Sequence, residues 1–319
     1  MLELRIPFAI DDELKLCRPT TAEKSKNYFC PCCGEKVILK QGEIKTTHFA
    51  HKISDTCNQE TITHKTAKLL VQKMVQDWKS GKSNPPNLAR ACHICHLPVS
   101  QPLPEKVDKA ILEHRLSDGS IVDVALMVGD VAHAAVEIKV AHAVDSIKAD
   151  KLQIPLIELD GYAVIDDPTI WNPIRDGFKP CTCEKCKQKY TKFMTKVKRF
   201  AQATGLELPS TYYRYGLCNC WKCERDIIVF AWPKEGMHDD MAPKVKPPPK
   251  TVQYRFSKTV GDKYWVNTCP YCHSIQGDFY LYSEPDGPFF ALDCQEDSSL
   301  SFEQDMMAIA AYAEYSGML

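Results

Sequence analysis

Hydrophobic positions along the chain fall into runs whose spacing predicts the elements. Two of them, Ile121-Val-Asp123-Val-Ala-Leu-Met127 and Ala134-Ala-Val-Glu137-Ile138-Lys139-Val140, have strand length but carry charge. An ionised carboxylate inside such a run costs several kcal/mol unless something compensates it. Glu137 and Lys139 stand two residues apart, so in a strand both leave the same face. Asp123 precedes Glu137 by fourteen residues, which suits the neighbouring strand of a hairpin. Residues 142–152 then read as a short helix and Ile154-Pro-Leu-Ile-Glu-Leu159 as another strand, a β-α-β unit with a right-handed crossover.

The rest of the chain divides by the same logic. Residues 2–6 alternate as an edge strand and lead into a polar, helix-compatible stretch to about Lys26. Val37–Lys40 and 44–49 form a hairpin pattern about Gln41-Gly42. From Asn58 to Ser80 the period is helical, with Ala67, Leu70, Val71, Met74, Val75 and Trp78 on one face and Glu60, His64 and Lys68 along one flank. Residues 187–204 predict a second amphipathic helix, whose polar face holds Lys192, Lys196, Lys198 and Arg199. No acid occurs between Lys185 and Leu206. Strands are expected at 227–232 and 277–282, an extended proline loop at 245–250, and a last helix at about 302–315.

Composition changes this picture mainly through cysteine. There are 16 in 319 residues, many in Cys-x-x-Cys pairs, and the chain starts with no apolar leader. That combination favours reduced thiolates on zinc in the cytoplasm over disulfides. No apolar run approaches membrane-spanning length, so no membrane partner is expected. A net charge of −1 gives no global attraction to nucleic acid. Phosphate contacts must therefore come from local patches, and Lys192, Lys196 and Lys198 form the best one.

Three metal sites can be assembled. Cys30, Cys33, His48, His51 and Cys57 offer five candidates for four positions. Cys92 and Cys95 pair with Cys183 and Cys186, leaving Cys181 spare, and Cys220 and Cys223 pair with Cys269 and Cys272. Lone Cys17 and Cys294 have no partner knuckle. An iron–sulfur cluster is the rival at the Cys92 site, where five cysteines are available.

Asp…Glu-x-Lys supplies two carboxylates for a hard cation and a lysine beside an attacking water. Glu137-Ile-Lys139…His142-Ala-Val-Asp145-Ser-Ile-Lys148…Ile154-Pro-Leu-Ile-Glu158-Leu-Asp160 resembles the nuclease core of the competence protein CoiA-like family, a branch of the PD-(D/E)xK superfamily. Upstream, Phe29-Cys30-Pro-Cys-Cys33-Gly, His48-Phe-Ala-His51, Cys57 and Glu60…His64…Lys68 are similar to its N-terminal zinc module and following helix. The resemblance covers about residues 28–160. It implies an α/β fold: a restriction-endonuclease-like (PD-(D/E)xK) core with a mixed sheet flanked by helices, plus small zinc-ribbon modules. It also favours Cys30, Cys33, His51 and Cys57 as ligands, leaving His48 beside the metal or facing phosphate, and adds Glu60 as an acid of the active site.

The domains expected are an N-terminal zinc-finger region at 1–58, a nuclease-like core with flanking zinc ribbon at 59–187, a basic helix and linker at 188–216, and a C-terminal ribbon with terminal helix at 217–319. The function expected is a divalent-metal-dependent DNA nuclease in DNA processing, competence or defence. Asp123 and Glu137 would bind Mg2+ or Mn2+ beside Lys139, with about three structural Zn2+. The substrate would be DNA, single-stranded or branched among the candidates, with a protein partner in a processing or defence complex as a further possibility. The alternative is a non-catalytic zinc-ribbon adaptor binding nucleic acid or protein. As an unpaired strand acid, Asp123 should tolerate replacement by Asn without loss of stability in the absence of divalent metal.

Overall fold

A computed structural model of the chain describes residues 3–42, 46–52, 57–141, 152–209, 212–232 and 242–290. The described chain is mixed α/β and divides into two compact units, 1–92 with 97–181, and 93–96 with 182–319.

The first unit begins with β1 (Glu3–Ile6), β2 (Ala9–Asp11), β3 (Leu16–Cys17), β4 (Tyr28–Phe29), β5 (Lys36–Lys40) and β6 (His48–Lys52), in the sheet order β1-β6-β5-β4-β2-β3. β1 is an edge strand, and β5 and β6 form the expected hairpin, with Ile38 opposite Ala50. The stretch to Lys26 is not helical. Asp11 Oδ1 accepts the N–H groups of Glu13 and Lys15 at 3.0 and 2.8 Å, and Leu14 takes φ 60°, so a tight hairpin joins β2 to β3. Such local side-chain bonds compete with helix formation, and Pro19 confines the remaining helical character to one 3₁₀ turn, Pro19–Thr21.

Helix α1 (Gln59–Lys79) starts where the sequence places it because Asn58 and Thr61 form a reciprocal capping box. Asn58 Oδ1 accepts the Thr61 N–H at 2.9 Å, and Thr61 Oγ1 accepts the Asn58 N–H at 3.1 Å. After it come β7 (Asn87–Ala91), β8 (Pro98–Pro102), β9 (Lys109–Arg115), β10 (Ile121–Val128), β11 (Val131–Lys139), β12 (Leu156–Asp160), α2 (Gly161–Asp166), β13 (Ile170–Trp171) and β14 (Pro173–Asp176). The central sheet has the order β14-β12-β11-β10-β9. β10 and β11 are an antiparallel hairpin, and β11 and β12 run parallel, as the apolar runs predict. The crossover helix expected at 142–152 falls almost wholly outside the described residues.

Apolar residues of β10 divide between two cores. Val124 and Leu126 join Val136, Ile138, Ile157 and Leu159 in packing with Ala67, Leu70, Val71 and Val75 of α1, whereas Val122, Ala125 and Met127 belong with Ala135 and Leu156 in another cluster. A strand covered on both faces reads as a continuous apolar run, which is why Asp123 stands out there.

In the second unit, α3 (Glu184–Thr204) packs Phe193, Val197 and Ala201 against Tyr215, Leu217, Ile228 and Phe230 of β15 (Arg214–Asn219) and β16 (Asp226–Ala231). β17 (Val252–Ser257), β18 (Asp262–Thr268) and β19 (Ile275–Gln276) form a separate sheet. Buried Asn267 of β18 stitches that sheet to Phe230, accepting its N–H and donating to its carbonyl, both at 2.8 Å. The strand expected at 277–282 is instead α4 (Asp278–Tyr282). Its aromatic run has strand propensity, but the Leu281 N–H reaches the Gly277 carbonyl at 3.1 Å and Leu281 alone is fully buried. The helix expected at 302–315 and Cys294 lie outside the described residues.

Asn58→Ala removes the cap that fixes the start of α1. It should lower stability by about 1 kcal/mol, read as a reduced urea midpoint at unchanged slope. An unchanged midpoint would show that packing alone sets the helix start.

Candidate functional site

The cysteine pairs gather into three sets of four. Cys30, Cys33, His51 and Cys57 form the first, Cys92, Cys95, Cys183 and Cys186 the second, and Cys220, Cys223, Cys269 and Cys272 the third. In each, the ligand atoms all lie within 4.8 Å of one another. Thiolates about 2.3 Å from a tetrahedral zinc sit about 3.8 Å apart. The Sγ–Sγ distances are 3.6 Å for Cys30–Cys57, Cys95–Cys183 and Cys220–Cys272, and 3.7 Å for Cys223–Cys269. Four ligands per set, at tetrahedral spacing, fit structural zinc. His48 stands outside the first set, with Nδ1 2.8 Å from the Thr46 carbonyl, so of the five candidates it is the one left over.

Four of the five Cys-x-x-Cys pairs fold the same way, while Cys183 instead caps α3 and accepts the Cys186 N–H at 3.4 Å. The N–H of the first cysteine donates to a carbonyl five residues on: Cys30 to Glu35, Cys92 to Leu97, Cys220 to Arg225 and Cys269 to Ser274, at 2.8–2.9 Å. The residue after the second cysteine takes positive φ, 72° at Gly34, 56° at His96, 58° at Glu224 and 58° at His273. Only the first of the four is the glycine that the sequence advertises. Backbone amides turn toward sulfur, Cys32 N–H to Cys30 and Tyr271 N–H to Cys269, each 3.4 Å. Burial pushes the Cys57 thiol up and raises the Cys269 thiol to about 12, whereas at Cys220 burial is outweighed by the Ser274 hydroxyl and backbone amides, which bring the thiol down to about 6. Among the spare cysteines, Cys181 donates to the Ala91 carbonyl at 3.1 Å and Cys17 to Asp11 at 3.5 Å.

A second arrangement occupies the end of the β10–β11 hairpin. Pairing runs from Val128↔Val131 to Val124↔Val136, with a register shift between Leu126 and Met127, and beyond it side chains enter the fork. Asp123 Oδ2 accepts the Ile138 N–H at 2.9 Å, and Glu137 Oε1 accepts the Asp123 N–H at 3.3 Å. Two carboxylates thus satisfy amides that the strands leave open, which brings Asp123 and Glu137 together. Lys139 is half-buried two residues farther along β11. Glu60 is exposed on α1 and lines a groove of ≈ 290 Å³ together with His64, Lys68 and Ile138.

Asp123 is not an unpaired acid, contrary to the expectation from sequence, nor is Lys139 its partner. His64 Nε2 lies 3.1 Å from Asp123 Oδ2, and the buried Lys68 ammonium donates to Asp123 Oδ1 at 3.3 Å and to Glu113 Oε1. The expectation took β10 alone, whereas the compensating charge arrives from α1. Burial raises the Asp123 carboxyl, but the contact with His64, the Ile138 amide and the Lys68 charge outweigh it and hold the group down to about 2. The row Glu60, His64, Lys68 at helical spacing was the available signal for these partners. Glu113 and Glu158 also escaped sequence reasoning. Glu158 is buried on β12 in direct register with Glu137, and nothing in an apolar run such as Leu156-Ile-Glu-Leu159 names its neighbour.

Among the described residues, the Cys/His sets are the groups of three or more ligand atoms close enough for one ion. The acids do not converge as the thiols do. A cation at the fork would take one or two carboxylates and keep water or phosphate oxygens, as magnesium commonly does. Lys192, Lys196 and Lys198 lie on α3, Lys192 and Lys198 exposed and Lys196 half-buried.

The match with known proteins falls on the first zinc set. Residues 13–60 match the family model for the competence protein CoiA, N-terminal domain. The likeness to that family model is confined to this segment. The matched segment contains all four ligands of the first set and ends in the first turn of α1 at Glu60. No curated protein and no solved structure matches the chain. Among the described residues, no helix is long and apolar enough to cross a membrane.

Purified protein should contain three zinc ions per chain by elemental analysis, and Cys223→Ser should release one of them while Cys17→Ser releases none. Iron in place of zinc would overturn the assignment. Asp123→Asn should destabilise the protein in the absence of divalent metal by about 2 kcal/mol at pH 7. Because the folded carboxyl is depressed, that contribution is full above the ordinary carboxylate range and lost only as the pH falls toward 2. Urea midpoints of variant and wild type should therefore differ at pH 5 and draw together as the pH falls toward 2. A variant as stable as the wild type would restore the unpaired acid.

Proposed function

We propose that the chain is a divalent-metal-dependent DNA nuclease of CoiA-like type, with the first unit as its PD-(D/E)xK core. The observation that carries this proposal is the pair of carboxylates in the β10–β11 fork, followed two residues later by Lys139. The CoiA match upstream and the parallel pairing of β11 with β12 agree with it.

In this scheme Asp123 and Glu137 would hold a Mg2+ or Mn2+ ion, which would polarise a phosphate and acidify water. Lys139 stands on the Glu137 face of β11, where its ammonium can orient a water for in-line attack and stabilise charge on phosphate. Glu60, on the rim of the groove, can accept a proton or contact the ion through water. Lys68 and His64 fix the Asp123 carboxylate so that it is aligned before substrate arrives. The zinc sets stabilise small sheets that bury little core, and the α3 lysines supply phosphate contacts.

A zinc-ribbon adaptor remains the second account, favoured by the contrast between three complete zinc sets and a fork whose acids do not converge. Cleavage separates the two. With magnesium or manganese, the wild type should cut linear, single-stranded or branched DNA, and Asp123→Asn, Glu137→Gln and Lys139→Ala should each abolish it. Double variants should be scarcely worse than single ones, since all act on one water. Retained cleavage by folded Glu137→Gln protein would sink the assignment of this site.

A further inference from the structure

We propose that the β17–β18 hairpin of the second unit is a stacking platform for single-stranded DNA. Tyr254 and Phe256 stand two residues apart on β17, hence on one face, and are 49% and 54% exposed. Their register partners on β18 are Trp265 and Lys263. Tyr254 and Trp265 lie with ring centroids 5.8 Å apart and planes tilted 49°. Lys246 places its ammonium 4.5 Å from the Trp265 ring centre. Trp265 also packs against the core that contains Phe193 and Phe230, so the platform is anchored from beneath.

Charge identifies the partner. Residues 242–265 contain Lys244, Lys246, Lys250, Arg255, Lys258 and Lys263 against the single acid Asp262, in a chain of net charge −1. A surface that couples exposed rings to a local excess of cations suits a polyanion that also offers flat apolar faces. Nucleic acid does so when its bases are unstacked, whereas a duplex presents phosphates and groove edges with its base faces already covered. Base stacking is indifferent to sequence, so the platform would hold single strands without base preference. The choice of DNA over RNA rests on the nuclease proposal. The single-strand preference does not.

The test uses full-length Glu137→Gln protein without added divalent metal, which leaves zinc in place and prevents cleavage. Fluorescence anisotropy would follow a labelled oligothymidylate, a duplex of equal length, a single-stranded RNA and phosphatidylserine vesicles as competitor. Tyr254→Ala and Phe256→Ala should each weaken single-strand binding about 5- to 150-fold, with duplex binding and the salt slope unchanged. Tyr254→Phe should bind as Tyr254 does. Lys246→Gln and Lys263→Gln should each flatten the salt slope by about 0.7. Unchanged affinity in the alanine variants, equal losses on duplex, or full displacement by vesicles would overturn the proposal, and tighter binding of RNA would overturn its choice of DNA. A fall in melting temperature or zinc content in the alanine variants would mean that the chain covers this face itself, which would overturn the proposal as well. Platform-dependent binding in a wild type that cuts nothing would refute the nuclease proposal alone.

Discussion

A carboxylate in the wedge between two diverging strands is the constraint around which the first unit is built. Asp123 can stay ionised there only because one oxygen receives the Ile138 amide and His64, and the other receives Lys68. Two of these partners belong to α1, so the register of that helix over the sheet is tied to the charge balance of the fork. The apolar contacts of Ala67, Leu70 and Val71 hold α1 against β10 and β11, but they would tolerate small slides that the ammonium of Lys68 would not. Hydrophobic burial supplies the attraction, and the ion pair supplies the alignment.

The Cys/His sets solve a different problem. The N-terminal sheet includes strands of two and three residues, and the β17–β19 sheet ends in a strand of two, lengths that rarely sustain a core by themselves. Metal held by these sets would compensate by cross-linking the loops that carry them. In the third set, Gln276 adds a donor 3.4 Å from Cys220 Sγ, so even the short strand β19 serves the metal loop.

Much of this was legible in the chain, and for identifiable reasons. Paired cysteines at fixed spacing named the second and third sets, whereas the first, with a single pair, left five candidates until the resemblance favoured Cys30, Cys33, His51 and Cys57. The hairpin and parallel strand at 121–159 were readable from apolar runs, and α1 from its period and cap. What escaped was long-range: the helical period put Lys68 on a flank with Glu60 and His64, and only the approach of β10 makes it buried and paired. The stretch after Asp11 failed because one carboxylate captured two amides locally. Residues 278–282 failed because their aromatic content masks a single helical turn. For the fork itself, Asp123, Glu137 and Lys139 could be nominated from sequence and the row Glu60, His64, Lys68 could be seen, but not that His64 and Lys68 meet Asp123.

The spacing of the ligands has a consequence for how the chain is made. The first set closes within residues 30–57, the second spans 92–186, and the third spans 220–272. As the polypeptide leaves the ribosome from its N-terminus, these sets become complete in that order, each only when its last cysteine has emerged. At His96, Glu224 and His273 the loop holds a left-handed backbone that costs a side-chain-bearing residue about 1 kcal/mol and that ligation helps to retain. A ribbon waiting for its second half would therefore relax and leave its thiols open to oxidation. For the second set, that wait extends across the synthesis of the whole central sheet.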